Sequence, residues 1–325
     1  MKDWNMFEKV AAIVAVIIIL GGIGYYVQKG IGGSSASIVG TKAYVADYGN
    51  DENDGSQDNP YRTIQVATES GAGEIVVLGL EYHFPRESFG PDRVNTVQLS
   101  DQRLVSLTSA VPRTALLPPD GENGLAVEYK MLGDSGFSGF AVKAISATFN
   151  IYGRAAVTNN QFFPMAQEGT GMRSSTEFSV FGNRLNTARI VNNSFYIPTI
   201  RYAHGVVLAG YGNIDFSRND IFFEKLVRMQ ENREQFGVIV TALADSAHLI
   251  ISGNSFRSIE APPSNADASR NQGIVIQQAE ADVLITDNTF VIPCLAIVEA
   301  KEKKLHQSSG QVTSARNYIV DWFKP

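Results

Sequence analysis

A short pattern of apolar and polar positions recurs along the second half of the chain. A branched or aromatic apolar residue is followed by two small or polar residues, an Asn, any residue and a second apolar residue. Asn tolerates the left-handed conformation that a turn requires, and apolar residues on both sides of the turn suit stacked strands. The pattern therefore predicts short strands that meet at an Asn turn, with a ladder of Asn side chains along successive coils. The Asn residues of its seven copies are Asn160, Asn183, Asn193, Asn219, Asn254, Asn288 and, in a degenerate last copy, Asn317.

A longer unit contains this pattern in the C-terminal part of the chain. Gly205, Gly237 and Gly273 each open a run of apolar, mostly β-branched residues, and the spacing between them is 32 and then 36 residues. A repeat of this length predicts one coil of a parallel β-helix. Because a single coil cannot bury its own inner face, the coils must stack to close an apolar core.

Two loops interrupt the repeat at equivalent positions. They cover Phe222–Phe236 and Arg257–Gln272, and each follows an Asn turn and returns at a Gly strand. We therefore expect them to project from the same side of the solenoid, one above the other. The segment Glu224–Glu234 has the composition of a short helix, which would wall a groove or contact a partner.

An uncharged apolar run extends from Val10 to Val27. As a helix it would rise about 27 Å, which nearly spans a hydrocarbon layer of about 30 Å, and Tyr25 and Tyr26 would lie at the interface. We interpret it as one retained transmembrane helix, with a cleaved signal peptide as the alternative. The predicted organisation is a tail at 1–9, the span at 10–27, a linker at 28–41 and a β-helix domain at 42–325. By analogy with common bitopic proteins, we expect this domain to be exported to the periplasm or the cell exterior.

Composition narrows the function classes. Hydrophobic residues make up 44% of the chain and charged residues 18%, so the chain can bury a large core. The formal net charge is −6 and no dense Lys/Arg run is present, which argues against a nucleic-acid partner. One cysteine cannot form an internal disulfide, so the core must hold the fold.

The start of the predicted domain carries a further motif. The segment Ala43–Ile64 contains an extended strand, a Gly-Asn-Asp turn, an Asp-Gly pair and a Pro-Tyr-Arg-Thr-Ile step. A predicted short helix (Gln65–Ser70) and a strand (Glu74–Gly79) follow it. This series resembles the opening motif of the right-handed parallel β-helix proteins of the pectate-lyase-like superfamily. The resemblance implies an all-β, right-handed parallel β-helix solenoid over about residues 42–320, but no particular reaction, because the fold hosts enzymes, adhesins and scaffolds.

The same motif raises the question of calcium. Asn50, Glu52, Asp54 and Gly55 alternate as at the start of an EF-hand loop, but Tyr61 replaces the acidic residue at its end. We therefore expect these side chains to cap turns, with calcium as the alternative, and we predict no other cofactor or metal.

The candidate site lies just before the Gly205 strand. Arg201, Tyr202 and His204 precede this strand, and stacked loops would bring Glu234 and Arg270 beside them. An Arg can neutralise the carboxylate of an acidic sugar, and a His or Tyr can move a proton next to it. We therefore assign catalytic roles to Arg201, Tyr202 and His204 and substrate binding to Glu234 and Arg270. The alternative is ordinary loop polarity.

The sequence thus favours an envelope-anchored β-helix protein that binds or processes a polysaccharide. Aspartate motifs of pectin hydrolases and the Asp-Pro-His step of alginate epimerases are absent, which argues against an enzyme. If the protein is an enzyme, the resemblance implies at most a lyase or an epimerase. The alternative is a non-catalytic scaffold that contacts envelope proteins. An enzyme predicts a groove where Arg, His and carboxylate groups converge, whereas a scaffold predicts a flat surface.

Overall fold

The computed structural model describes residues 41–106, 113–119, 125–165, 174–199, 202–228, 234–245, 247–261, 265–266, 269–277, 279–292, 295–299 and 312–319. Within these ranges no helix is long and apolar enough to cross a bilayer. The predicted span at 10–27 lies outside them.

The described ranges form many short strands, one α-helix, α1 (Ile64–Glu69), and one 3-10 turn (Arg86–Ser88). The strands of the N-terminal half are β1 (Lys42–Val45), β2 (Glu74–Val77), β3 (Glu81–His83), β4 (Val94–Ser100), β5 (Arg103–Ser106), β6 (Thr114–Leu117), β7 (Ala126–Ser138), β8 (Phe140–Ala144), β9 (Ser146–Thr158), β10 (Gln161–Pro164), β11 (Ser174–Val180), β12 (Thr187–Val191) and β13 (Ser194–Ile197). Those of the C-terminal half are β14 (Tyr202–Gly210), β15 (Asn213–Ser217), β16 (Asp220–Phe223), β17 (Glu234–Leu243), β18 (His248–Ser252), β19 (Ser255–Ser258), β20 (Asn271–Ile276), β21 (Asp282–Thr286), β22 (Thr289–Val291), β23 (Leu295–Glu299), β24 (Val312–Ala315) and β25 (Tyr318–Ile319).

These strands pair in parallel in one sheet of sixteen strands and one of nine. β7 and β9 are each 13 residues long and turn a corner, so their first and second halves pair with different neighbours. The first face contains β4, the first halves of β7 and β9, and β11, β14, β17, β20 and β23. The second face contains β1, β2, β5, the second halves of β7 and β9, and β12, β15, β18, β21 and β24, and the third face is the nine-stranded sheet. The chain is therefore an all-β parallel solenoid, as predicted, whereas its right-handedness and its superfamily stay predictions.

The core consists of rows of apolar side chains that stack from coil to coil. On the first face the rings of Tyr129, Phe149 and Phe178 stack with centroids 4.8 and 4.9 Å apart. On the third face Phe162 stacks on Phe195 at 5.0 Å. Each buried aromatic side chain contributes about 2–3 kcal/mol of hydrophobic stabilisation, so the stacking of coils supplies the core that no coil has alone.

Tyr129 offers a test of this core. Its side chain is fully buried, and its hydroxyl has no hydrogen-bond partner among the described residues. Tyr129→Phe should therefore raise the free energy of unfolding by about 1 kcal/mol at neutral pH, because it removes an unpaired buried polar group. Burial also holds the pKa of Tyr129 well above its usual range. Above about pH 10 an unfolded tyrosine ionises while Tyr129 stays neutral, so wild-type stability should fall more steeply with pH than that of the variant.

The matched control is Tyr82, which is equally buried but well bonded. Its hydroxyl accepts from the Ile64 N–H at 3.3 Å and donates to the Arg62 carbonyl at 3.0 Å. Tyr82→Phe should lower the free energy of unfolding by about 1–2 kcal/mol. Urea denaturation at pH 7 and pH 10.5 measures the free energy of unfolding of both variants. An equal loss of this free energy in the two variants would contradict the conclusion that the Tyr129 hydroxyl is unpaired.

The predicted Asn ladder runs along the corner between the second and third faces. The backbone N–H of each ladder Asn donates to the side-chain oxygen of the next at 2.9–3.0 Å. The side-chain amide donates to the same oxygen at 2.9–3.2 Å, so every ladder oxygen after that of Asn160 accepts two bonds. The ladder therefore pairs buried polar groups that the turn leaves without strand partners. Its members are Asn160, Asn193, Asn219, Asn254, Asn288 and Asn317.

Two details of the prediction are wrong. Asn183 is exposed in the turn between β11 and β12 and caps Leu185, whose side chain is 76% exposed rather than buried. The left-handed residue is also not the ladder Asn but the residue before it, with φ between 52° and 63°. That placement leaves the Asn side chain free to point inward along the ladder. The left-handed residues are Asn159, Asn192, Arg218, Gly253, Asp287 and Arg316.

The three repeat glycines stack on one another, although they lie inside β14, β17 and β20 rather than at their starts. A Cβ on Gly205 would lie 2.6 Å from the Gly237 carbonyl oxygen, and one on Gly237 would lie 2.5 Å from that of Gly273. The side chains of Phe256 and Phe290 fill the space above Gly237 and Gly273. Glycine is therefore required here by contact rather than by backbone conformation.

Where the structure describes them, the two loops lie against each other at the corner between the third and first faces, as predicted. Arg228 and Ala266 form an antiparallel bridge between the two loops. The side chain of Asn271 accepts from the Val227 N–H at 2.9 Å and donates to the Val227 carbonyl at 3.0 Å. The helix predicted at 224–234 is wrong in its described residues, because 224–228 are irregular and β17 begins at Glu234. The Asn271 side chain and the Arg228 bridge hold this segment extended.

Helix α1 lies where a helix was predicted and packs on the N-terminal coils. Thr63 caps it by accepting from the Val66 N–H at 3.2 Å, and Ile64 and Ala67 face the core. The buried Gln102 amide donates to the Thr68 and Ala72 carbonyls at 2.9 and 2.8 Å, which ties the helix end to β5.

Candidate functional site

The predicted site residues start adjacent strands of the first face. Tyr202 in β14 pairs with Glu234 in β17, and the Arg270 carbonyl accepts from the Gln235 N–H at 2.8 Å just before β20. The backbone thus brings Tyr202, Glu234 and Arg270 to one level of three successive coils. Arg201 and the Tyr202 side chain lie outside what the structure describes.

His204 lies two residues further along β14. Its ring meets the ring of Phe236 edge-on, with centroids 5.3 Å apart, so an apolar neighbour supports one side of the imidazole. Glu234 is exposed, whereas the next residue, Gln235, is buried and donates to the Pro198 carbonyl at 3.2 Å. The strand starts are therefore anchored to the loops, but the catalytic and binding roles of this group stay predictions.

The N-terminal turn residues act as caps. Asn50 accepts from the Glu52 N–H at 3.1 Å and Asp54 from the Ser56 N–H at 2.9 Å. The bond from the Ser56 N–H holds the pKa of the Asp54 carboxyl below its usual range. Within the described ranges no three His, Cys, Asp or Glu side chains are placed to hold a metal ion.

A second candidate lies on the outer surface of the second face. Six residues from six neighbouring strands form one row in strand register. Part of this row lines a groove of about 560 Å3, which we call the arginine groove. In order from β2 to β15 the row is Glu74, Arg103, Gly136, Ala156, Arg189 and Asp215.

The charges of the arginine groove do not cancel. Glu74 pairs with Lys42 at 2.8 Å. Asp134 pairs with the Arg154 guanidinium through two bonds of 2.7 and 2.9 Å. Arg103 and Arg189 are exposed, and neither guanidinium has an ion-pair or hydrogen-bond partner in the described part of the chain. The groove therefore presents two unpaired cations on a protein whose net charge is −6.

The floor between these two arginines is made of small residues. Gly136 and Ala156 occupy it, and a Cβ on Gly136 would lie 3.3 Å from the Arg103 Cγ, so the Arg103 side chain leans over the floor. Arg103 and Arg189 are three strand spacings apart, or about 14 Å along the solenoid. An extended ligand can lie on this floor with an anionic group at each guanidinium, because Arg forms paired bonds with carboxylates.

Sequence reasoning missed this groove, although part of a signal was present. Ala156, Arg189 and Asp215 each precede a ladder Asn by four residues, so the Asn repeat places their side chains in one row. Arg103 and Gly136 belong to coils without a ladder Asn, and no pattern aligned them.

No family model matches the chain, and neither the curated proteins nor the solved structures contain a match to it.

Proposed function

We propose that the solenoid, held at the cell envelope by the predicted span at 10–27, binds an acidic polysaccharide in the arginine groove. The observation that carries this proposal is the pair of unpaired, exposed guanidiniums of Arg103 and Arg189 on either side of a small-residue floor. A flat surface with scattered charges, as a pure scaffold predicts, has no such grouping.

The row also indicates the kind of polymer. Carboxylates stand at both of its ends, Glu74 before Arg103 and Asp215 after Arg189. A polymer with a negative charge on every sugar would meet repulsion at Asp215, whereas neutral sugars could pass there. The groove therefore suits a polysaccharide in which uronates alternate with neutral sugars, each arginine taking one carboxylate.

The test uses the purified 325-residue chain and hyaluronate, a polymer of alternating uronate and neutral sugars. Arg103→Gln combined with Arg189→Gln should weaken binding about tenfold, since two exposed charge pairs contribute about 0.5–1 kcal/mol each. Raising sodium chloride from 0.05 to 0.5 M should weaken wild-type binding more than that of the variant, because salt screens exposed charges. Isothermal titration measures both effects.

Arg257→Gln is the charge-matched control, because Arg257 is equally exposed but lies on the third face. It should bind hyaluronate like the wild type, and dextran, which is neutral, should not bind. Equal affinity of the double variant and the wild type would contradict the proposal. No binding of any acidic polysaccharide would favour the scaffold instead.

A lyase or epimerase activity is the second candidate, favoured by the shared level of Tyr202, Glu234 and Arg270. In this scheme Arg201 would neutralise the uronate carboxylate, and His204 or Tyr202 would take the C5 proton beside it. A lyase would then form the C4–C5 double bond and break the C4–O bond, and the leaving oxygen would take up a proton. An epimerase would instead return a proton to the opposite face of C5. The titration mixtures test it directly: a lyase releases an unsaturated uronate that absorbs ultraviolet light, an epimerase changes the proton NMR spectrum, and Arg201→Ala should abolish either signal. Bound but unchanged polymer would limit the protein to binding.

A further inference from the structure

A second groove, of about 600 Å3, lies on the outer surface of the third face. Its floor consists of Ala115 and Ala141, which share one row with Glu81 and Gln161 on neighbouring strands. Both alanines are nearly buried, so the floor is smooth and apolar. A flat, apolar ligand surface can therefore approach the sheet closely here.

An aromatic side chain forms one wall of this groove. In the next row the rings of Phe163, Tyr196 and Phe222 stack with centroids 4.2 and 5.1 Å apart. Phe163 is the end of this stack on the side of β8, so Tyr196 covers only one of its faces. The other face is directed towards Lys143, its strand partner in β8 and another residue of the groove.

Two cations flank the apolar surfaces. Lys143 has no ion-pair or hydrogen-bond partner within the described ranges. Arg113 donates its Nε–H to the Asn159 carbonyl at 2.8 Å, which fixes the guanidinium at the rim. Burial raises the pKa of Tyr196, and the nearby charge of Arg113 opposes that rise. With Glu81 as the single carboxylate among the lining residues that the structure describes, the groove has a net positive charge.

We infer that this groove is a second saccharide site, which takes one uronate residue with its C–H face on the Phe163 ring and its carboxylate on Lys143 and Arg113. The weakly positive C–H groups of a pyranose are attracted to the negative face of an aromatic ring, and the two cations complement the carboxylate. The site lies on the third face and shares no residue with the arginine groove on the second. One chain can therefore hold two segments of acidic polysaccharide and bridge two polymer strands.

The test is the number of hyaluronate hexasaccharides bound per chain, measured by equilibrium dialysis with the purified 325-residue protein. The wild type should bind two. Phe163→Leu should weaken the second site at least tenfold and leave one, whereas Lys143→Gln, which removes one exposed charge pair, should weaken it about two- to fivefold. Arg103→Gln combined with Arg189→Gln should also leave one, but at the second groove.

The controls come from the opposite end of the row of stacked aromatic rings. Phe222→Leu removes the other terminal ring of the stack, and Arg257→Gln removes the cation that follows it in register. Both variants should still bind two hexasaccharides, which separates loss of the site from loss of the stack. A neutral hexasaccharide of the same length that binds equally well would overturn the role of the two cations.

The outcomes for the two grooves are distinguishable. If the wild type binds one hexasaccharide, and neither Phe163→Leu nor Lys143→Gln weakens its binding, the second site is overturned and the arginine groove stays in place. If the wild type binds two hexasaccharides, and this number falls in Phe163→Leu but not in the arginine double variant, the proposed function is overturned and the second site stays in place. No bound hexasaccharide would overturn both.

Discussion

Replacing Asn219 with alanine should lower the free energy of unfolding by about 3–5 kcal/mol. The Asn219 oxygen accepts the Asn193 N–H at 2.9 Å and the Asn193 amide at 3.2 Å, and its own amide donates to the Ile190 carbonyl at 2.9 Å. All of these groups are buried, so truncation leaves donors and an acceptor unpaired in a site of low dielectric constant. Urea denaturation followed by circular dichroism measures the change.

The sequence itself provides the control. Asn183 stands in the same local pattern but is exposed, and within the described residues its side-chain oxygen accepts only the Leu185 N–H, at 2.8 Å. Asn183→Ala should cost less than about 1 kcal/mol. Asn317→Ala should fall between the two, because this last rung is only partly buried. A similar loss for Asn183→Ala and Asn219→Ala would refute the view that the ladder holds the coils.

Gly237→Ala should destabilise the solenoid by about 3 kcal/mol or more. The new methyl would lie 2.5 Å from the Gly273 oxygen and 2.9 Å from the Phe256 ring. The oxygen belongs to the next coil and cannot move without opening the pairing between β17 and β20. Thermal unfolding should show the loss as a lower melting temperature.

Gly136→Ala is the matched control, because both glycines have ordinary backbone angles and differ only in the space around them. A Cβ on Gly136 would meet the flexible Arg103 side chain at 3.3 Å, so this change should cost less than about 1 kcal/mol. Adding Phe256→Leu to Gly237→Ala should restore only part of the loss from Gly237→Ala, since the contact with the Gly273 oxygen remains. An unchanged melting temperature for Gly237→Ala would show that the stacked glycines are not in close contact.

The C-terminal coils could be predicted because each contains its own local signals. The Asn turn and the repeat glycine recur once per coil there, and both are required by contacts between neighbouring coils. The N-terminal coils lack this regularity: β7 and β9 continue around a corner, and Phe140 stands where later coils have the ladder Asn. Their path depends on packing between residues that are distant in the sequence.

Asn183 shows where a local pattern is insufficient. Its neighbours match the repeat, but it follows β11, at the corner between the first and second faces, where no ladder runs. The position of a turn within a coil depends on how many strands precede it. A six-residue pattern cannot contain that information.

The two candidate sites also differ in how far the sequence predicts them. The level shared by Tyr202, Glu234 and Arg270 follows from the loop spacing, and the sequence predicted it. The arginine groove joins Arg103 and Arg189, which lie 86 residues apart in the sequence and are brought into one row only by the register of four strands. Pairing register over such distances is not readable from composition or spacing.

Binding in the arginine groove can be observed residue by residue in an NMR titration of the purified protein with hyaluronate hexasaccharide, following the Arg side-chain Nε–Hε signals. Arg103→Gln and Arg189→Gln identify the two signals by their loss. We predict that both signals shift with increasing saccharide and that the Arg257 signal does not. A saccharide that binds while the Arg103 and Arg189 signals stay unchanged, with shifts confined to the starts of β14, β17 and β20, would contradict this prediction.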